Sequence, residues 1–411
     1  MEKSILLSPI KLGRRVSENR FAIHAMEGNN ADSEGNPTEK TYRRYSRHFE
    51  GNAGVIFLES ITPDYEHRGR LNQLSIMPHN QKALTKLVKK MKEINDKPLF
   101  LFQIAHTGEI SNSFFSKRIT VKPLPGWGGE LISEDYAEKL IDLFVDATEI
   151  AYNAGADGVD IKLSHGYLGS QFLRPYNDRK WKYGGSWENR SRFAFKIYEK
   201  ISERINDPDF IVGSKISVWE GFPGGTGTAG PDSAVMDFTE DIALIRGLEE
   251  RGAKFFVASA GTSFTAALAQ SVKTDAPYIT YLLHTFGKVV RDAAKTGTVV
   301  IGCGYSVYRD GNNSLPILDK EKGSIFYWGE KNIKEGIIDI IGLGKQAYAD
   351  SLLPKKFAEG RIDEINWCIT CGKCIQFVRN HPYQKPSGCV VYEKEYARFY
   401  EEMQKEIVEK R

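Results

Sequence analysis

Asp157-Gly158-Val159-Asp160-Ile161-Lys162-Leu163-Ser164-His165-Gly166-Tyr167-Leu168 is the stretch that decides the fold. Its core, Gly158 to Lys162, has strand length and is largely apolar, as a strand covered on both faces must be. A different period precedes it. Between Ser133 and Gly155, residues Leu140, Ile141, Phe144 and Ala151 share one helical face. Ser133 supplies a capping hydroxyl and Gly155 can take the left-handed exit. A helix feeding a buried strand is half of a βαβ unit.

The same unit recurs along the chain. Strand-length runs lie at Phe21 to Met26, Ala53 to Glu59, Pro98 to Gln103 and Gly158 to Lys162. Four more lie at Phe210 to Lys215, Lys254 to Ala258, Val299 to Gly302 and Ile337 to Gly342. Amphipathic segments separate them; in one, Leu84, Leu87, Val88 and Met91 fall on one face. Eight alternations predict an α/β protein built as a (β/α)8 TIM barrel. An open doubly wound sheet is the alternative, weakened because no G-x-G-x-x-G follows the first strand.

Composition narrows the function classes. The chain has 411 residues, 41% hydrophobic and 27% charged, which excludes whole-chain disorder and collagen-like fibre. Its 56 basic and 53 acidic residues leave a net charge of +3, too little for nucleic acid or an anionic membrane. No run of 18 apolar residues suggests a membrane span. Met1-Glu2-Lys3-Ser4 lacks the apolar stretch of a signal peptide, so a cytoplasmic, reducing setting is expected. There, Cys368, Cys371, Cys374 and Cys389 read as a metal site rather than as disulfides. Cys303 stands apart.

A barrel places its chemistry at the C-terminal ends of its strands. Those ends carry Met26-Glu27, Glu59-Ser60, Gln103 with His106, Lys162 with His165, and Lys215. The last three carry Ala260-Gly261, Gly302-Cys303-Gly304 and Gly344-Lys345. Loops after strands seven and eight commonly bind phosphate in this fold. Gly304 and Gly344 admit backbone N–H groups to a phosphate, and Lys345 adds charge; tight-turn glycines and a solvated lysine are the plain alternative.

Beyond these ends, longer motifs resemble one family. They are Asn19-Arg20-Phe21, Gln103-Ile104-Ala105-His106-Thr107-Gly108, the 157–168 stretch, and Gln171-Phe172-Leu173. Tyr183-Gly184-Gly185-Ser186-Trp187-Glu188-Asn189-Arg190 and Ile341-Gly342-Leu343-Gly344-Lys345 complete them. From residue 5 to about 355 the chain resembles the Old Yellow Enzyme family of flavin oxidoreductases. The resemblance implies FMN, with Ala25 and Met26 against the isoalloxazine and Gln103 on its pyrimidine edge. Lys215 would sit beside N1, and Gly304, Gly344 and Lys345 would hold the phosphate. Both lysines stand where relatives usually have arginine, which keeps charge but loses bidentate geometry. On the substrate side Tyr167 matches the family's proton donor. Lys162 stands where many relatives have histidine and pairs with His165 to hold an oxygen, unless it is a buried partner of Asp160 or Glu59. The two converge only if the strand has already turned. Glu27 replaces a usual threonine or cysteine near the flavin, and an ionised carboxylate there makes reduction harder. Cys303 reads as a small barrel residue behind the flavin.

The tail reads C-x2-C-x2-C-x14-C. Three cysteines at successive threes with a distant fourth suit the corners of one cluster, while a four-cysteine zinc site is the alternative. The pattern is similar to the [4Fe–4S] site in the iron–sulfur branch of the same family, which includes 2,4-dienoyl-CoA reductases and trimethylamine dehydrogenase. The organisation expected is an FMN barrel over residues 1–360 and a cluster-binding extension with a terminal helix over 361–411. Electrons would come from NADH or NADPH docking at the barrel, or from a partner protein or subunit through the cluster. The function expected is ene reduction: hydride to the β-carbon of an activated alkene and a proton from Tyr167 to the α-carbon. Three readings compete. One is an amine or alcohol-type dehydrogenase, with Trp127, Trp219 and Tyr305 as candidate cage walls. The second is a Schiff-base lyase using Lys162 or Lys215. The third is an electron-transfer subunit.

Overall fold

The computed structural model describes residues 4–270, 278–313, 319, 321–379 and 382–410. Met1-Glu2-Lys3, part of the leader reading, lie outside the described residues. Eight parallel strands close into a barrel: β1 (Phe21–Ile23), β2 (Val55–Ile61), β3 (Leu99–Ile104), β4 (Gly158–Ile161), β5 (Ile211–Ser217), β6 (Phe255–Ser259), β7 (Val299–Gly302) and β8 (Ile340–Leu343). Each pairs with its neighbours in chain order, and β8 closes on β1 through Ile341–Phe21, Gly342–Ala22 and Leu343–Ile23. Helices at Glu39–Glu50, Gln81–Ile94, Glu134–Asn153, Trp187–Arg204, Thr239–Glu250, Tyr278–Ala293 and Ile325–Lys334 lie between successive strands.

The strands are apolar on both faces because they carry two cores. Ala22, Val55, Phe57, Leu101, Val257 and Ile301 fill the barrel interior. Their strand neighbours Phe21, Ile56, Leu58, Phe102, Phe256 and Val300 pack outward against the helices. The helix before β4 forms as its pattern demands. Ser133 Oγ accepts from the Tyr136 N–H, Leu140, Ile141, Phe144 and Ala151 are buried, and Gly155 turns at φ +86°. Leu84, Leu87, Val88 and Met91 are likewise the buried face of their helix.

Two strands depart from expectation by three residues at one end; the others differ by at most two. β1 ends at Ile23 rather than Met26, because His24 to Glu27 leave the sheet to border a cavity. β8 begins at Ile340 rather than Ile337; the Ile337 and Ile338 N–H groups bond Asn332 O in the turn after the preceding helix.

An antiparallel hairpin, Ile10–Leu12 with Arg15–Ser17, covers the N-terminal end of the barrel, and Leu12 inserts among the interior residues. The segment after residue 360 lies over the opposite end. Leu71 N–H donates to Gln384 Oε1 (2.8 Å), Asn29 Nδ2 donates to Lys385 O (3.0 Å), and Ser387 N–H donates to Gly28 O (2.7 Å). The helix Lys394–Glu409 docks on Glu39–Glu50 through Glu395 with Lys40 and Arg43, and Glu393 with Arg47. No helix among the described residues is long and apolar enough to cross a membrane.

Candidate active site

A cavity of about 390 Å³ opens at the C-terminal end of the barrel. All ten residues expected there border it: Ala25 and Met26 after β1, Gln103 in β3, Lys162, His165 and Tyr167 after β4, Lys215 in β5, Gly304 after β7, and Gly344 and Lys345 after β8. Cys374 of the tail borders it as well.

On one side a carboxylate organises the charges. Asp160 accepts from Gln103 Nε2 (2.6 Å) and from the Lys215 backbone N–H (2.6 Å). The first bond fixes the Gln103 amide and leaves its carbonyl oxygen as the acceptor. Gly304 sits at φ +92°, a conformation that favours glycine, and its ideal Cβ would lie 2.8 Å from Leu283 Cδ1. Gly344 turns into the short helix Lys345–Ala349, and the Lys345 side chain is nearly buried. Cys303 lies 3.4 Å from His24 Nε2. Burial, then the Lys215 charge, keeps the His24 imidazole neutral.

The other side departs from a plain phenol. Tyr167 OH donates to Glu27 Oε1 (2.8 Å), while Arg70 reaches Glu27 Oε2 with Nε (2.9 Å) and Nη2 (2.6 Å). Burial raises the Glu27 carboxyl, but Arg70, Lys162 and these hydrogen bonds outweigh it and hold it below its ordinary value. Glu27 is therefore an anion at neutral pH. Burial, then Glu27, pushes the Tyr167 phenol upward.

Lys162 Nζ lies 3.3 Å from the centroid of the Tyr167 ring and donates to Ser60 Oγ (3.3 Å). Ser60 is brought there by a register shift in β2 between Leu58 and Ile61. Neither Asp160 nor Glu59 is the ion-pair partner of Lys162; Glu59 belongs to Arg44. Burial, opposed by Glu27 and reinforced by Lys215 and Arg70, pushes the ammonium down to about 7. The chain has indeed turned by His165, which sits at φ +62° with its N–H held by Ser217 Oγ (2.9 Å). Its Nε2 is 2.6 Å from Ser259 Oγ, and burial first, then Lys215 and Lys162, keeps it neutral.

Arg70, Ser259 and Arg379 were not expected, and Ser60 was read only as part of a strand end. Arg70 lies in a polar loop outside every motif, and only the fold brings it to Glu27, 43 positions away. Of the three aromatic walls considered, Trp127 borders the cavity. Trp219 and Tyr305 do not: Trp219 packs on Phe286, and Tyr305 is buried, stacked on His284 and bonded to Asn332 Nδ2 (2.7 Å).

The four tail cysteines come together against the barrel. Cys368, Cys374 and Cys389 pack with Met26 and Tyr348. Burial raises the Cys374 thiol to about 12, and the charges of Cys368, Cys371 and Cys389 add to the rise. Tetrahedral zinc with Zn–S near 2.3 Å brings sulfurs within about 3.8 Å of one another. Among the described residues only Asp64, His67 and His106 set three ligand atoms within 4.8 Å, so the sulfurs stand wider than zinc requires. The histidine group reads as a hydrogen-bond network, since His106 Nδ1 accepts from the Gly108 N–H (3.2 Å). A metal-bound histidine usually donates from its second nitrogen.

Residues 5–303 match the NADH:flavin oxidoreductase / NADH oxidase family. The chain belongs to this family. The family supports FMN as the cofactor, and it removes the flavin-free lyase reading. An NADH oxidase of Thermoanaerobacter brockii is 27% identical over 89% of this chain and 52% of its own length. A dimethylamine dehydrogenase of Hyphomicrobium sp. (strain x) is also 27% identical, over 90% of this chain and 48% of its own. The solved 2-naphthoyl-CoA reductase superposes with a TM-score of 0.80 at 20% identity, over 96% of this chain and 58% of that one. The chain thus spans about half the length of the relatives it matches. The residues expected to contact FMN border one cavity at the barrel mouth.

Proposed function

We propose that this oxidoreductase reduces an activated C=C bond in an α,β-unsaturated carbonyl compound, acid or thioester. The charge of the cavity carries this reading. Among the described residues that border it, Arg70, Arg118, Lys162, Lys215, Lys345 and Arg379 face a single carboxylate, Glu27. Glu27 is already engaged by Arg70 and Tyr167. Such a site favours an oxygen that gains negative charge in the transition state and offers little to an ammonium.

When bound, FMN supplies the hydride. Lys162 donates to the acceptor oxygen, and His165, anchored on Ser259, shapes the same side. Tyr167 passes its proton to the α-carbon; Arg70 and Lys162 offset the charge left on its oxygen. Gln103 and Lys215 would hold the pyrimidine edge and N1, and Gly304, Gly344 and Lys345 the phosphate. The wide four-thiol arrangement supports a [4Fe–4S] cluster on Cys368, Cys371, Cys374 and Cys389, with Cys374 in the cavity wall as the link to the flavin. NADH or NADPH is the small-molecule donor; a partner protein is the other route, through the cluster. Residues 1–360 would form the FMN barrel and 361–411 the cluster-binding extension, in a cytoplasmic protein.

A second reading has a specific support: the same Cys374 contact suits export of electrons by an amine or alcohol-type dehydrogenase or an electron-transfer subunit. One experiment separates them. Protein purified without oxygen is reduced with NADH or NADPH, then mixed with enones, enoates and enoyl-CoA esters while the flavin spectrum is followed. Reoxidation by an alkene supports ene reduction. Reduction of the oxidised flavin by amines or alcohols, with no alkene reoxidising it, overturns it.

A further inference from the structure

One wall of the cavity belongs to the tail. In the helix Lys373–Arg379, residues Cys374, Ile375, Val378 and Arg379 border it, at the i, i+1, i+4, i+5 spacing of a single helical face. Cys374 anchors one end of that face among the thiols. Arg379 ends it at the cavity's exposed rim.

Arg379 is unusual among the cavity's cations. Arg70 is paired with Glu27, and Arg118 donates to the Ser111 and Trp127 carbonyls. Lys162 is held by Ser60 beneath the Tyr167 ring. Arg379 makes no hydrogen bond or ion pair among the described residues, and unlike Lys215, which lies within β5, it stands at the exposed rim. It borders the same cavity as His165 and Tyr167. Burial and the Arg70 charge both act against its own charge. A guanidinium with its fork unused, at the rim of a cavity rich in positive charge, is built to meet a planar oxyanion.

We propose that Arg379 is a specificity-determining residue that binds an anionic group of the substrate, a carboxylate or a phosphate, at the cavity mouth. This rests on the ene-reductase reading and narrows its substrate class to anionic alkenes. It also gives the cysteine segment a second role, since Cys374 sets the helix that aims Arg379.

The test uses the holoenzyme with FMN and iron, and compares wild type with Arg379→Gln and Arg379→Lys. Binding to the oxidised enzyme is measured by calorimetry with three probes: crotonate, crotonyl-CoA and the neutral, equally shaped pent-3-en-2-one. Arg379 has no side-chain hydrogen bond or ion pair among the described residues, so its replacement is expected to leave folding intact; FMN and iron content check this. The expected result is a tenfold or larger loss of affinity for an anionic probe in Arg379→Gln, less in Arg379→Lys, and a change under twofold for the ketone. Loss confined to crotonyl-CoA assigns the phosphates; loss for crotonate assigns the carboxylate. Parallel changes for all three probes, no change, or a wild type that binds neither anion more tightly than the ketone overturns the proposal. Failure of every alkene to reoxidise reduced wild-type flavin overturns the ene-reductase reading instead.

Discussion

Replacing Glu27 with glutamine removes the only carboxylate among the described residues bordering the cavity while keeping its shape and one acceptor oxygen. Its charge is one of the forces that keep Lys162 protonated, so the lysine should report the loss. The route from Lys162 through the Tyr167 ring to Glu27 bounds their separation at about 9 Å, where unit charges interact by about 2 kcal/mol at an effective dielectric of 20. That corresponds to a fall of about one unit in the lysine pKa. The sign follows from the charge type. Lys162 is a cation below its pKa, about 7 in the wild type, and loses that charge as pH rises through it. Reoxidation of reduced flavin by an enone should therefore decline above about pH 7 in the wild type and about one unit lower in Glu27→Gln. At pH 7 the variant should be about fivefold slower from lysine protonation alone. Stopped-flow reoxidation between pH 5.5 and 9 measures both curves. A falling limb that stays in place, or moves to higher pH, refutes the coupling of Glu27 to Lys162.

Tyr167→Phe should slow that same alkene half-reaction by ~10²–10⁴-fold and leave flavin reduction by the donor nearly unchanged, because the phenol acts as acid in one half-reaction only; wild-type reoxidation would pass the role of donor to His165 or solvent. Anaerobic protein should contain about four irons and four acid-labile sulfides per chain, and Cys371→Ser should lose them while FMN largely remains. One equivalent of zinc with little iron would show the site to be misread. Arg174, buried between Glu109 (2.8 Å) and Glu220 (2.7 Å), should cost about 3–5 kcal/mol when replaced by alanine, since two carboxylates are left uncompensated. Denaturant unfolding reads that loss, and a change below 1 kcal/mol would refute it.

The strands were readable because both their faces are buried, so Phe255 to Ser259 or Val299 to Gly302 needs no alternation to be recognised. Their ends were less so. Where β1 stops is decided by His24 and Glu27 turning to the cavity, and such turning has no local composition signal. That Gln103, Lys215, Gly304, Gly344 and Lys345 would gather at one cavity was legible from strand ends and motifs together. Arg70 and Arg379 were not, because their roles come from distant segments folding over the barrel. Aromatic residues misled in the opposite way: Trp219 and Tyr305 carry the same chemistry as a cage wall but were claimed by the core. Lys162 borders the cavity as expected, and a shift in β2 sets Ser60 beside it in place of the alternative partners Asp160 and Glu59.

The hairpin at Ile10–Ser17 has a kinetic consequence. With Leu12 seated among the interior side chains, the N-terminal end of the barrel is filled among the described residues, and the cavity opens at the other end. On the proposed function, a small-molecule donor and acceptor that both used this cavity would share one doorway. They would then take turns, each leaving before the other arrives. Initial rates at several fixed concentrations of a nicotinamide donor should give parallel double-reciprocal lines, and excess of either reactant should inhibit by occupying the place of the other.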